Sequence, residues 1–263
     1  MSLNDPVNIY KKNYITNVIF RVDFKKMDLA QDPPEELQKT IREKFPIFHQ
    51  IKKETFGFEI KGNNQFTTKL NETILWEFKS KEGNEKYNKV IIHPEYLSLE
   101  YENYTNFKDF QQDLKLVLDV FLGTYFVEGI KRLGSRYINQ IVLGSGNPLE
   151  WNNLIHPSLF SIPSGFTTTS DILRSMHVLE VEEDDYLLRF QFGLYNSEYP
   201  NPIARKEFVL DYDCFIEQEI EPFEINKRAE ECNDIIYKWF EKSIGEDLRE
   251  IMGVKKNDQK FKI

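Results

Sequence analysis

The stretch Ile130–Ile141, Ile-Lys-Arg-Leu-Gly-Ser-Arg-Tyr-Ile-Asn-Gln-Ile, constrains the fold more than any other part of the chain. It reads as a strand, whose side chains alternate between two faces. Ile130, Arg132, Gly134, Arg136 and Ile138 share one face. Lys131, Leu133, Ser135, Tyr137, Asn139 and Ile141 share the other. Neither face is cleanly apolar. A central strand carrying Arg132 and Arg136 must pair both with carboxylates, because an unpaired buried charge is very costly. An edge strand would leave them in water. Gly134 marks either a bulge or a close approach by another backbone. In a regular strand the two arginines stand roughly 13 Å apart, at about 3.3 Å per residue, too far to share one small anion. A bulge at Gly134 would let them converge.

The elements on either side fall into two similar series. Asn17 to Lys25 alternates, with Val18, Phe20, Val22 and Phe24 on one face. Asp32-Pro33-Pro34 predicts a helix capped by Asp32 with prolines in its first turn, carrying Leu37, Ile41 and Phe45 inward and stopping before Pro46. Strands follow at Ile51–Lys61, Thr73–Lys79, Lys89–His93 and Tyr96–Glu102, separated by Asn63-Asn64, Gly83-Asn84 and Pro94-Glu95. Asn106 caps a long helix with the stripe Phe107, Phe110, Leu114, Val117, Leu118 and Phe121.

The second series opens with a long strand over 127–143. A short helix is expected near Glu150–Phe160. Three strands follow at Ile172–Glu182, Asp185–Asn196 and Arg205–Glu217, the first two joined by a turn at Glu183-Asp184. A last long helix, Glu224 to Ser243, turns Ile225, Ala229, Cys232, Ile236, Trp239 and Phe240 inward. Gly245 breaks it, and Glu246–Met252 adds a final turn or two.

The expected fold class is therefore α+β, with antiparallel sheets packed by two long helices. The repeated order of elements suggests a tandem duplication, with a first half at 1–124, a second at 125–254 and a mobile tail at 255–263. The alternative is one continuous sheet with helices on one face.

Composition narrows the function classes. The 263 residues are 40% hydrophobic and 14% aromatic, enough for a substantial core. A net charge of −9 argues against a general nucleic-acid binder, whose affinity rests on neutralising phosphates. No apolar run approaches the ~18 residues of a membrane span. Met1 to Tyr14 lacks a signal-peptide core, and the two cysteines, Cys214 and Cys232, are expected to be reduced thiols in a cytoplasmic protein.

Motifs with chemistry are sparse. Walker, Rossmann, zinc and nucleophile-elbow patterns are absent, so no cofactor and no metal are expected. Gly144-Ser-Gly146 is too short to cradle a phosphate. His49, His93, His156 and His177 are scattered. Cys232 lies on an apolar helix face and reads as an inert buried thiol. The carboxylate run Glu180–Asp185 could hold a divalent cation but is explained more simply as a solvated turn. Lys255, Lys256, Lys260 and Lys262 make a basic tail of the solubilising kind. The candidate binding set is Arg132, Arg136, Tyr137 and Asn139, since a planar arginine pair beside Tyr and Asn can grip a carboxylate or phosphate. The competing reading, an internal ion-pair network, is preferred.

Arg132-Leu-Gly-Ser-Arg-Tyr-Ile-Asn139 resembles the Arg-hydrophobic-Gly-Leu-Arg-Tyr-hydrophobic-Asn signature of an uncharacterised, sporadically distributed prokaryotic protein family. The Asn13-Tyr14 to Phe24 strand resembles that family's opening strand, with Asn17 where a Glu is usual. Cys232-Asn233 followed by Trp239-Phe240-Glu241 resembles its closing helix, with Cys232 where a His is usual. The resemblance spans nearly the whole chain. It implies a bacterial or archaeal protein of about this size and no particular activity.

Three functions follow as expectations. The first is a non-enzymatic cytoplasmic protein that binds a ligand, a protein partner or a second copy of itself. The second is an enzyme on an anionic or nucleotide-like substrate, with Arg132 and Arg136 holding charge and Glu241 or Asp234 as acid or base. The third, nucleic-acid binding on a saddle-like sheet, is disfavoured by the net charge. The surroundings of Arg132 and Arg136 discriminate between the first two. Saturated carboxylate partners favour the first, and a cleft with spare donors favours the second.

Overall fold

A computed structural model describes residues 9–61, 65–81, 86–160 and 172–255. The expected loop at Asn63-Asn64, the turn at Gly83-Asn84 and the tail beyond Lys255 lie outside the described residues. The first series of elements is β1 (Ile9–Tyr10), β2 (Ile15–Phe24), α1 (Glu35–Arg42), β3 (Ile47–Lys61), β4 (Gln65–Lys79), β5 (Asn88–His93), β6 (Tyr96–Tyr101) and α2 (Phe107–Thr124). The second is β7 (Ile130–Leu143), β8 (Ser175–Glu183), β9 (Tyr186–Leu194), β10 (Lys206–Ile216), α3 (Ile225–Ser243), α4 (Glu246–Met252) and β11 (Val254–Lys255).

The chain is α+β. Nine strands make one antiparallel sheet in the order β3-β4-β5-β6-β2-β7-β10-β9-β8, with four helices among the described residues. The sheet runs unbroken across its middle, where β2 pairs with β7. The short β1 and β11 form a separate ribbon. Among the described residues no helix is long and apolar enough to cross a membrane.

One face of the sheet is covered. β2 turns Val18, Phe20, Val22 and Phe24 into the core, as its alternation predicts. α2 lays Phe110, Leu114, Val117, Leu118 and Phe121 there, and the Phe24 and Phe121 rings approach to 5.6 Å. Asn106 caps α2 by accepting the Asp109 backbone N–H at 3.0 Å. α3 packs on β7 and β10 through Ile225, Ala229, Cys232 and Ile236.

Several expectations need correction. α1 begins at Glu35, after both prolines, and its N-cap Pro34 makes no side-chain bond, so Asp32 is not the cap. Glu35 and Glu36 meet the positive end of that helix instead. The segment expected to be helical at 150–160 holds only turns and one 3-10 turn at Pro157–Leu159, because Trp151, Leu154 and Ile155 anchor it to the core without a helical period. The β8–β9 turn is Asp184-Asp185, with Asp184 at φ 54°. Trp239 is only partly buried. Its indole N–H needs a partner and donates to Glu183 Oε1 at 2.8 Å, at the rim of the core.

β7 is regular at Gly134, which stands opposite both Arg21 and Phe215. The irregularities lie elsewhere, between Ile15 and Asn17 on β2 and at Lys131 on β7. The extra residue at Lys131 turns Ile130 onto the same side as Leu133, so Ile130 is fully buried although simple alternation assigns it to the arginine face. A glycine is needed at 134 for space. A Cβ there would lie 2.8 Å from Phe215 Cβ and 3.0 Å from the Cys214 carbonyl oxygen.

Candidate functional site

β7 presents its two faces to different surroundings, and the four candidate residues divide between them. Arg132 and Arg136 project from the face that no helix covers among the described residues. Their cross-strand neighbours there are Asp23 opposite Arg132, and Ile19 and Asp213 opposite Arg136. Arg136 grips Asp211 bidentately, Nε donating at 2.8 Å and Nη2 at 2.6 Å. This bond holds the Arg136 pKa above its ordinary value. Arg132 lies 3.5 Å from Asp213 and 3.8 Å from Glu217, and its guanidinium stacks 4.4 Å from the Phe215 ring centroid. Gly134 leaves the room for that stack. Burial pushes the Asp213 carboxyl above the usual range, and the two flanking arginines offset part of the shift.

The same pattern continues across this face. Arg21 donates to Asp23 at 2.8 and 2.6 Å, Lys89 pairs with Glu100 at 2.9 Å, Lys79 with Glu77 at 2.9 Å, and Arg189 with Glu180 at 2.7 Å. The carboxylate run at the β8–β9 turn is also engaged. Glu180 accepts from Arg189, Glu183 accepts from Trp239, and Asp185 lies 3.7 Å from Arg228.

Tyr137 and Asn139 point the opposite way, under α3. They line a cavity of about 130 Å³ together with Tyr10, Asn13, Ile15, Tyr104, Asn233, Ile236, Tyr237, Phe240 and Met252. Several parts of the chain build it. β7 provides the floor. α3 provides Asn233, Ile236, Tyr237 and Phe240, spaced at helical intervals along one stripe. Tyr10 of β1, Asn13 and Ile15 at the start of β2, Met252 at the end of α4 and Tyr104 before α2 close the sides.

The polar groups of the cavity are few and defined. Tyr137 donates its hydroxyl to Asn233 Oδ1 at 3.0 Å. Asn139 donates from Nδ2 to the Leu210 carbonyl at 3.3 Å. Among the described residues, Asn139 Oδ1 and Asn233 Nδ2 have no protein partner, which leaves one acceptor and one donor beside the void. Asn13 is spent on the backbone, accepting from Ile15 N at 3.2 Å and donating to the Tyr104 carbonyl at 3.4 Å. The Tyr104 and Tyr137 rings meet edge to face at 5.6 Å. Burial pushes the Tyr104 phenol up to about 12 and raises Tyr137 well above its ordinary value, so both stay protonated at neutral pH. At the rim, Tyr10 donates to Glu241 Oε1 at 2.7 Å, and Arg249 reaches both the Tyr10 hydroxyl and Glu241. Burial and the Glu241 hydrogen bond raise the Tyr10 pKa as well.

Cys232 stands beside this site but does not line it. It is fully buried, and its thiol donates to the Cys214 carbonyl at 3.5 Å. Asp234 is exposed on the outer side of α3. Sequence reasoning missed Tyr10, Asn13, Ile15, Tyr104, Tyr237 and Met252, which come from short segments or from helix positions with no polar signal. Asn233 was marked only by the resemblance of the closing helix, and Phe240 by that resemblance and by the inward stripe of the last helix.

No protein-family model matches the chain, and no curated protein matches it.

Proposed function

We propose that this chain is a non-enzymatic binding protein whose ligand site is the cavity between β7 and α3. The observation that carries the reading is the composition of the wall. Among the described residues it has aromatic and aliphatic side chains, two asparagines with a free donor and a free acceptor, and no Asp, Glu, His, Lys, Arg or Cys. A site for acid–base or nucleophilic chemistry needs a group that titrates near the working pH. Tyr10, Tyr104 and Tyr137 are held protonated. An apolar pocket with a few placed polar groups is the usual build of a small-molecule site. A ligand that fits is small, uncharged and flat, with an amide-like edge that accepts from Asn233 and donates to Asn139.

The arginine pair supports the same conclusion from the other side. Asp211 saturates one fork of Arg136, and Asp213, Glu217 and Phe215 occupy Arg132. Such partners favour an ion-pair role over an anion site. The many carboxylates on that face also weigh against nucleic acid. Two free, buried cysteines fit a reducing cytoplasm. The order of elements fits a duplicated unit, with β2 and β7 as its two innermost strands and α2 and α3 as the equivalent long helices.

The test is a thermal-shift screen of neutral aromatic amides and nucleobases against the native chain and the variant Ile236→Phe, which fills the cavity. A ligand at about 100 times its Kd stabilises by about 2.7 kcal/mol. The expected result is stabilisation of the native chain and none of the variant. A ligand that stabilises both equally, or a response confined to carboxylates and phosphates, would overturn the proposal.

A further inference from the structure

The two edges of the nine-stranded sheet are protected to different degrees. At one edge, β3 exposes Lys52, Lys53 and Glu54, charges of the kind that discourage edge-to-edge pairing. At the other edge, β8 carries Ser-Met-His-Val-Leu-Glu-Val-Glu-Glu. From Met176 to Glu180 it is exposed on both faces. Val178 is 61% exposed and Leu179 42%, on opposite sides of the strand, and Leu187 of β9 extends the apolar surface. A long, regular edge strand with apolar side chains on both sides is a template for another strand.

The β8–β9 hairpin closes through the two residues Asp184 and Asp185, with Glu183 opposite Tyr186. In such a hairpin the pair flanking the turn exchanges both hydrogen bonds. Glu183, Val181, Leu179 and His177 therefore direct their main-chain groups to β9. Glu182, Glu180, Val178 and Met176 direct theirs outward, with no strand of this chain beside them among the described residues.

We propose that β8 pairs with β8 of a second copy of this chain, antiparallel across a two-fold axis, joining two sheets into one. The charge pattern selects this occupant. Arg174, whose guanidinium lies over the Tyr195 and Tyr199 rings, stands just before the strand, and Glu180, Glu182 and Glu183 lie at its end. Antiparallel self-pairing sets each acidic end beside Arg174 of the other copy, whereas a parallel arrangement would stack the acids. Centred on Val178, the pairing puts Val178 against its own copy and Arg174 opposite Glu182 of the second copy. The turn is held in place for this. Glu183 accepts from Trp239, the Tyr186 hydroxyl donates to Glu231 of α3, and Arg228 reaches Asp185. The contact is isologous and closes at two. A contact along one strand edge is small beside the 1,200–2,000 Å² of a standard interface, so weak dimerisation is expected.

Sedimentation velocity of the full chain across a wide concentration range tests this, with Val178→Lys and Val178→Pro as variants. Both sit at an exposed position, and the proline removes an outward-facing N–H without touching the β9 ladder. Circular dichroism checks that each variant is folded. The native chain is expected to pass from monomer to dimer with rising concentration. The lysine variant is expected to weaken association about tenfold or more, because like charges then face each other across the axis. Amide exchange at Val178 and Glu180 is expected to slow only where the dimer forms. A native chain monomeric throughout, open-ended polymers instead of dimers, unchanged dimerisation of both variants, or slow exchange of these amides already in the dilute monomer would each overturn the proposal.

Discussion

Arg136 and Tyr137 are adjacent in sequence and belong to different worlds. On the open face of β7 both arginines stand beside carboxylates. Arg136 takes Asp211, Arg132 takes Asp213 and Glu217, and the neighbouring strands repeat the arrangement with Arg21, Lys89 and Arg189. On the covered face, Tyr137 and Asn139 use part of their hydrogen-bonding capacity and stop at a void. On the proposed reading, the difference separates polar residues that hold a fold together from polar residues left for a ligand. A saturated group has nothing left to offer.

The comparison can be broken by mutation. The largest effect is expected at the core beneath the covered face. Phe20→Ala should cost about 3–5 kcal/mol, while Ile19→Ala, on the opposite side of the same strand, should cost far less. Denaturant titration of both variants checks this, and equal losses would mean that the open face is as tightly packed as the core.

Arg136→Ala comes next. It leaves Asp211 without its partner. A fully buried pair broken this way loses about 3–5 kcal/mol, and the exposure of Arg136, 38% of its side chain, lowers the expected loss to about 2–3 kcal/mol. Arg132→Ala, with longer contacts to better solvated carboxylates, should cost about 0–1 kcal/mol. The contrast is read from two unfolding midpoints. A reversed order would show that Arg132 is the structural member of the pair.

Tyr137→Phe should cost about 1 kcal/mol, the usual worth of one hydrogen bond, by freeing Asn233 Oδ1. It should also change ligand selection, since Asn233 can then rotate. A ligand profile identical to the native one would place recognition elsewhere.

The smallest effect concerns pH. The Asp213 carboxyl has a folded pKa above its unfolded value. Such a group adds stability below the unfolded pKa, and that stability is lost as pH rises through the raised folded pKa. At neutral pH the ionised Asp213 is thus a net cost to the folded state. Asp213→Asn should leave stability at pH 7 unchanged or slightly higher, whereas Asp211→Asn should lower it. A clear loss in Asp213→Asn at neutral pH would contradict the sign.

Much of the frame was legible in the residues. The alternation of β2 and the stripes of α2 and α3 are period signals that survive folding, because one face of each element is buried against the sheet. β7 was harder. Both of its faces carry polar groups, so alternation separates Arg132 and Arg136 from Tyr137 and Asn139 without saying which side is covered. The bulge at Lys131 has no sequence mark, and it moves Ile130 to the core. The anchoring of residues 150–155 follows no helical period, so the expected helix there is absent. The cavity was invisible for a related reason. Tyr10, Asn13 and Tyr104 sit in segments too short for a periodic signal, and only tertiary packing brings them to β7 and α3. The residues behind the family resemblance were the better pointer, because Tyr137, Asn139, Asn233 and Phe240 all lie around the void.

The central claim is that ligand enters the covered side of β7 and leaves the arginine face untouched. Isoleucine and methionine methyl signals report on both sides at once. Ile15, Ile236 and Met252 line the cavity, while Ile19 and Ile138 stand on the open face beside Arg136 and Asp211. Titration of a small neutral aromatic amide, followed by methyl NMR, should give saturable shifts at Ile15, Ile236 and Met252, with Ile19 and Ile138 unmoved. Saturable shifts at Ile19 and Ile138, with the cavity methyls unmoved, would contradict the account.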